Sequence, residues 1–263
     1  MHTADISIFH LFIGLLLVFI PGAILYYYRT GITRQMFIAV ARMVVQLFLV
    51  GIYLKYLFEW NNAWVNMAWF LVMICVCVGD LLKRISISFR VLFVPMFLAV
   101  FVSLSFIVVY FLKGVVGLDY LFDGRYFIPV CGILLGNVLS SNVVGLNAFY
   151  DRITREQQYY NYLLCNGATV AEATRPFIRE ALIKAYNPTI ASIAVMGLIS
   201  LPGTLSGQIM GGSAPDTAIR YQIMIMVIIM SSTIISLLLG LQWSIRRMLD
   251  GYGRFRTEVL DKK

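Results

Sequence analysis

The chain has 263 residues, 60% of them hydrophobic and 13% charged, with a mean hydropathy of +0.83. A soluble domain carries about 25% charged residues, so this composition lacks the polar surface that water demands, and the bilayer is the solvent it fits. The net charge of +8 lies in short clusters between apolar runs with no continuous basic helix, which is a membrane-topology signal and not a nucleic-acid footprint. Membrane lipid is therefore an expected partner and nucleic acid is not.

Residues 1–263 read as a single transmembrane domain of all-α class. A crossing helix needs about 20 mostly apolar residues, and about seven stretches qualify. They are Ile6–Tyr28, Phe37–Phe58, Ala63–Leu82, Val91–Leu112, Tyr126–Leu146, Pro188–Met210 and Tyr221–Ile245. The runs are continuous and lack alternation, so helices are expected and strands are not. The first is too long for an ordinary signal-peptide core, and Met1–Asp5 holds no Lys or Arg, so it reads as a retained span.

Basic residues fall mostly on one side of this topology. Residues 29–34 hold two, 83–90 three, 152–184 five and 246–263 six. The intervening connections hold only Lys55, Lys113, Arg125 and Arg220, and Arg42 lies within a span. Positive charge stays cytoplasmic, which puts the N-terminus outside and the C-terminus inside.

The longest polar interruption, about 150–187, falls on the cytoplasmic side. Ala168, Ala171, Phe177, Ala181, Leu182 and Ala185 interleave there with Glu172, Arg175, Arg179, Glu180 and Lys184 at near-helical spacing. Asn166-Gly167 and Pro176 are expected to divide it into two short helices. An amphipathic loop of this kind fits a linker lying on the headgroups and equally a docking element for a soluble partner.

Ionisable and polar groups within a span ask for a reason, because each charge costs about 3 kcal/mol on insertion scales. Arg42 has Gln46 one turn later on the same face; it either snorkels to the interface or makes a buried polar contact. Asp80 is placed to pair with Lys83 or Arg84 and is not read as a metal ligand. Cys75, Cys77, Cys131 and Cys165 form no CxxC or Cys/His cluster, so neither a disulfide framework nor a metal site is expected.

The fifth span carries Asn137, Ser140, Ser141 and Asn142 after a Gly132-x-x-x-Gly136 pattern. The glycines permit close helix approach, and the amides and hydroxyls serve helix packing or line a water-filled path. In the sixth, Pro202-Gly203 interrupts the span, with Gln208 and Met210 just beyond. Broken helices are tolerated only against protein or a cavity, so this pair marks a hinge or a transport path.

No phosphate loop, HExxH, GxSxG or GxGxxG is present, and the only histidines are His2 and His10. The chain is not expected to be an enzyme. A seven-span sensor and an ion-coupled secondary transporter stand as alternatives to an ATP-driven permease.

The run Gly197-Leu-Ile-Ser-Leu-Pro-Gly-Thr-Leu-Ser-Gly-Gln-Ile-Met-Gly-Gly212, then Pro215 and Tyr221-Gln-Ile-Met-Ile-Met226, resembles the signature of the FetB-type permeases. These are membrane subunits of ABC transporters implicated in iron export, with plant aluminium-tolerance permeases similar to them. Pro129, Gly132–Asn137, Asn166-Gly167-Ala168 with Glu172-Ala173, and Arg42 with Gln46-Leu47 extend the resemblance over most of the chain. It implies an inner-membrane permease, a second copy of itself, and a cytoplasmic ATP-binding subunit through which ATP and magnesium act, with no cofactor on this chain. It also implies that a cytoplasmic coupling helix docks on that subunit, here through Gly167, Ala168, Glu172, Arg175 and Arg179. Asn161 and Asn166 depart from the family pattern, which has an acidic and an apolar residue there.

Overall fold

The structure is a computed structural model that describes residues 7–85, 89–250 and 253–255. Among these residues it is all helical apart from two isolated bridges. In chain order the helices are α1 (Ile8–Leu15), running through a 3-10 turn into α2 (Phe19–Tyr27), then α3 (Thr33–Trp60), α4 (Ala63–Arg84) and α5 (Phe89–Val109). A π turn at Tyr110–Val115 follows, then α6 (Gly124–Arg155), α7 (Gln157–Cys165), α8 (Val170–Ala194), α9 (Gly203–Met210) and α10 (Pro215–Met248).

Six helical segments are long and apolar enough to cross a membrane: Phe9–Tyr27, Thr33–Trp60, Ala63–Arg84, Val91–Val115, Gly124–Arg155 and Pro215–Met248. The expected sixth span, Pro188–Met210, is not among them, because it is not one helix. Helix α8 carries past Pro188 to Ala194, residues 195–202 leave helical geometry with Gly197 at φ +84°, and helix resumes at Gly203. The interruption is thus wider than the Pro202-Gly203 pair from which it is expected.

The expected division of 150–187 also needs correction. Residues 150–155 are the last turns of α6, and α7 ends at the Asn166-Gly167 turn as expected. Pro176, however, does not break α8. A proline inside a helix forfeits the bond to the carbonyl four residues earlier, and here that costs a single contact near the solvated start of a 25-residue helix.

Packing centres on α10. Its buried face repeats a small residue every fourth position, Ser232, Ser236, Gly240 and Ser244, the spacing that stacks small residues on one side of a helix and lets another backbone come close. A methyl group built at Gly240 would lie 2.7 Å from the Met96 methyl of α5, and one at Gly145 of α6 would lie 2.6 Å from Leu237. Ser103 donates to the Ser232 carbonyl at 2.9 Å, and Asn142 donates to the Ser236 hydroxyl at 2.9 Å, both fully out of contact with solvent. The Gly132/Gly136 pattern does not serve this purpose within the chain, since nothing lies within 4 Å of a methyl built at Gly136.

The ends of the bundle differ. At one, Asn61 accepts from the Gly124 amide at 2.9 Å and Asn66 donates to the Phe122 carbonyl at 2.8 Å, tying the α3–α4 connection to the start of α6. The opposite end gathers the basic segments. The α1–α3 pair stands apart: its apolar windows bury 6% and 0% of their residues, against 39–50% for α4, α5, α6 and α10. It is joined within itself by Gly22 against Phe37 and to the body through Tyr53–Trp69 at 4.5 Å.

Overpacking a tight helix contact costs on the order of 3 kcal/mol. Gly240→Leu is expected to lower the thermal unfolding midpoint of the detergent-solubilised protein by several degrees, whereas Gly136→Ala leaves it unchanged, measured by tryptophan fluorescence.

Candidate functional site

One face of α6 runs through three cavities. At the Asn61 end, Arg125, Tyr126, Pro129, Val130 and Ile133 line a cavity of about 310 Å³ together with Gln208 of α9 and Thr217 and Tyr221 of α10. In the middle, Asn137, Ser140, Ser141 and Val144 line one of about 270 Å³ with Pro188, Thr189 and Ser192 of α8 and Met226 of α10. At the basic end, Ala148, Asp151, Arg152, Arg155 and Glu156 face Glu180 and Lys184 of α8 across a cavity of about 170 Å³. The helix repeat makes this one stripe: residues near 126, 130, 133, 137, 141, 144, 148, 152 and 155 fall on the same side of α6. The α6–α8/α9–α10 seam is therefore charged at its mouths and neutral between them.

Chain connectivity follows the seam too. Ser192 shares the middle cavity with Asn137, while Thr204, just past the break, donates to Gln222 of α10 at 2.6 Å and Gln208 reaches the outer cavity. The α8–break–α9 segment thus runs along α6 and α10 from one end of the bundle to the other. At the break the apolar side chains Leu198 (90%), Ile199 (84%) and Leu201 (66%) stand exposed.

The basic end of α6 is fixed to α8 through Arg152. Its guanidinium pairs with Glu180 at 2.5 Å and Glu156 at 3.1 Å, donates to the Pro176 carbonyl at 3.2 Å and lies 5.1 Å over the Phe177 ring. Lys184 closes the group at 2.6 Å from Glu180. Lys184 first, and then Arg152, hold the Glu180 carboxyl below its ordinary range, which keeps the network ionised.

Beyond this network an elbow projects. Gly167, at φ +86°, ends α7: its N–H bonds the Leu164 carbonyl and the Ala168 N–H bonds that of Leu163, the paired bonds of a Schellman cap. Thr169 then opens α8 with a capping box to Glu172. Gly167, Glu172, Arg175 and Arg179 are exposed, and Ala173, Thr174, Phe177 and Ala181 face inward. The expected amphipathic division is therefore present, with four of the five residues singled out from sequence on the outer side and Ala168 half-buried.

The underside of the elbow is held by a segment that sequence reasoning passed over. After α10 the chain returns so that Leu249 bridges Phe255. Phe255 is 5% exposed, with ring centroids 5.0 Å from Tyr160 of α7 and 6.4 Å from Phe149 of α6. Tyr160 donates to the Gly253 carbonyl at 2.8 Å, and burial raises its phenol above the ordinary range, so it remains a donor. The signal available in the sequence was an aromatic, Phe255, between two arginines of a charged tail.

The remaining singled-out residues are scattered. Asn137 lines the middle cavity while donating to its own Ile133 carbonyl at 2.8 Å. Asn142 lies between α6 and α10, away from the cavities. Met210 is exposed, and Pro202 and Gly203 open α9. Arg42 and Gln46 are exposed on α3, far from the seam. Asp80 pairs with Arg84 at 2.7 Å. Among the described residues, no group of three or more His, Cys, Asp or Glu could hold a metal ion.

Helices of this length and apolarity around a polar seam define a multi-pass α-helical membrane protein. The model of a family described as "Uncharacterised protein family (UPF0014)" matches residues 8–249, and the chain belongs to that family. It is 28% identical over 264 residues to the probable iron export permease protein FetB of Escherichia coli K12, covering all of both chains. It is 29% identical to the UPF0014 membrane protein STAR2 of Oryza sativa, over 81% of this chain and 73% of that one. It is 28% identical to the protein ALUMINUM SENSITIVE 3 of Arabidopsis thaliana, over 85% and 80%. No solved structure matches.

Two outcomes follow. Phe255→Ala empties a fully enclosed aromatic site; it is expected to raise protease sensitivity at residues 157–169 while α10 stays protected, read by limited proteolysis and mass spectrometry. Thr169 holds the Glu172 carboxyl below its ordinary range, so the cap is intact above the usual Glu value and lost as pH falls through the depressed one. Protection of the Thr169 amide, which donates to that carboxylate, relative to its intrinsic exchange rate should fall across that acid window in the wild type but not in Glu172→Gln.

Proposed function

We propose that this chain is the membrane-spanning permease subunit of an ABC transporter, exporting iron or a related metal or solute with ATP hydrolysed by a separate cytoplasmic subunit. The observation that carries the reading is the continuity between an exposed elbow at Gly167 and the broken α8–α9 segment that borders the seam. A push on the elbow travels along α8, which is joined to α6 by Arg152 and Glu180, and ends at residues 195–202, where the helix is interrupted. The likeness to a relative named as an iron export permease supports the substrate.

In this reading α8 and α9 together make a seventh, discontinuous crossing, adding to the six continuous spans. An odd number puts the two ends of the chain on opposite sides, and the basic end faces the cytoplasm. Gly167, Ala168, Glu172, Arg175 and Arg179 then form the surface offered to the ATP-binding subunit, and two permeases with two ATPases complete the assembly. The middle cavity, with Asn137, Ser140, Ser141 and Ser192, lies on the solute path, and Pro202-Gly203 with Gln208 belong to its moving wall. Asn142 holds α10 in place and Arg42 faces lipid.

The reading is tested by pulling down the full-length protein with a candidate ABC ATPase from the same organism. Copurification and ATPase stimulation are expected for the wild type and for Arg42→Ala, and both should fall at least ten-fold for Gly167→Glu, whose side chain meets the left-handed backbone and the partner surface together. Proteoliposomes should move radiolabelled iron only with ATP. ATP-independent flux, or an ATPase indifferent to Gly167→Glu, would sink the proposal.

A further inference from the structure

The outer cavity has a chemistry that the reading above does not use. Three aromatic residues, Phe111, Tyr126 and Tyr221, line it, with Gln208, Thr217 and the exposed Arg125. Its volume of about 310 Å³ is at the lower end of the range typical of small-molecule sites. Phe111 is 2% exposed and sits in the π turn at Tyr110–Val115, a rare backbone form found mostly as single turns at functional sites.

Arg125 is the charged residue that lines this cavity. Among the described residues no carboxylate pairs with it. The neighbouring Asp123 carboxylate accepts from the Arg125 backbone N–H at 3.1 Å as the cap of α6, and the Asp216 carboxylate pairs with Arg220 at 2.8 Å. The cavity thus presents a planar five-donor cation beside flat apolar walls, with neutral donors and acceptors opposite. A bare metal cation would meet repulsion here. A carboxylate answers the guanidinium with two parallel bonds, and a ring attached to it covers the aromatic surface.

We propose that this cavity binds a small aromatic carboxylic acid, its carboxylate on Arg125 and its ring against Phe111, Tyr126 and Tyr221. The solute class at the outer mouth of the seam is then an organic anion. This placement on the solute path rests on the permease reading, but binding to the cavity does not, because it needs neither ATP nor a partner.

The test uses the full chain purified in detergent, with salicylate as the probe and inorganic phosphate as an anion without a ring. Binding is followed by isothermal titration. Saturable binding of salicylate is expected, weakened about ten- to a hundred-fold by Arg125→Gln, as for loss of a charge-assisted bond. Arg125→Lys should recover part of that loss, and Tyr221→Ala should weaken binding. The inference is overturned if salicylate fails to bind, if Arg125→Gln binds it equally well, or if phosphate binds as tightly, which would make this a phosphate or lipid-headgroup contact. Copurification with an ATPase is unaffected by any of these results, so the two proposals fail separately.

Discussion

The close approach of α10 to α5 and α6 is the contact on which the rest depends. In lipid, burying apolar surface against protein gains little over leaving it in hydrocarbon, so helices are held by fit and by interhelical hydrogen bonds. The Ser232, Ser236, Gly240 and Ser244 stripe supplies both. Met96 and Leu237 fill the room left by two absent side chains, and two of the serines bond across the contact. With α10 fixed against α5, its other side is left to form the wall that α6 and α8 face across the cavities.

That arrangement sets different contacts on the two sides of the seam. Buried polar bonds and close glycines lie on the α5–α6–α10 side. The α8–α9 segment lies across the seam from it, joined through Arg152 at one end and the Thr204–Gln222 bond toward the other. Between them the eight residues 195–202 leave the helix, held locally by the Ile199 amide on the Val195 carbonyl and the Gly197 amide on the Ser200 carbonyl. The middle cavity beside α8 is lined by neutral residues alone.

Much of this was legible in the sequence because hydrophobic run length and turn chemistry are local properties. The six continuous spans, the Gly167 turn, the Asp80–Arg84 pair and the amphipathic character of α8 all follow from residues within a few positions of each other. Pro176 misled because proline's penalty depends on where in a helix it falls. Gly132/Gly136 misled because the pattern states that approach is permitted, not which partner accepts the offer. Asn142 and Asn137 are indistinguishable by composition; only the facing Ser236 removes one of them from the cavities. Phe255 was invisible since its ring partners, Phe149 and Tyr160, lie roughly a hundred positions earlier in the chain.

The near-naked flanks of α1–α3 bear on how the protein is made. A helix pair that packs so little against the rest of its own chain needs no later-synthesised part of that chain in order to sit in the bilayer. Those two spans also leave the ribosome ahead of the bundle they adjoin. They are therefore suited to insert and settle on their own, giving the nascent chain an anchor while α5, α6 and α10 are still being translated.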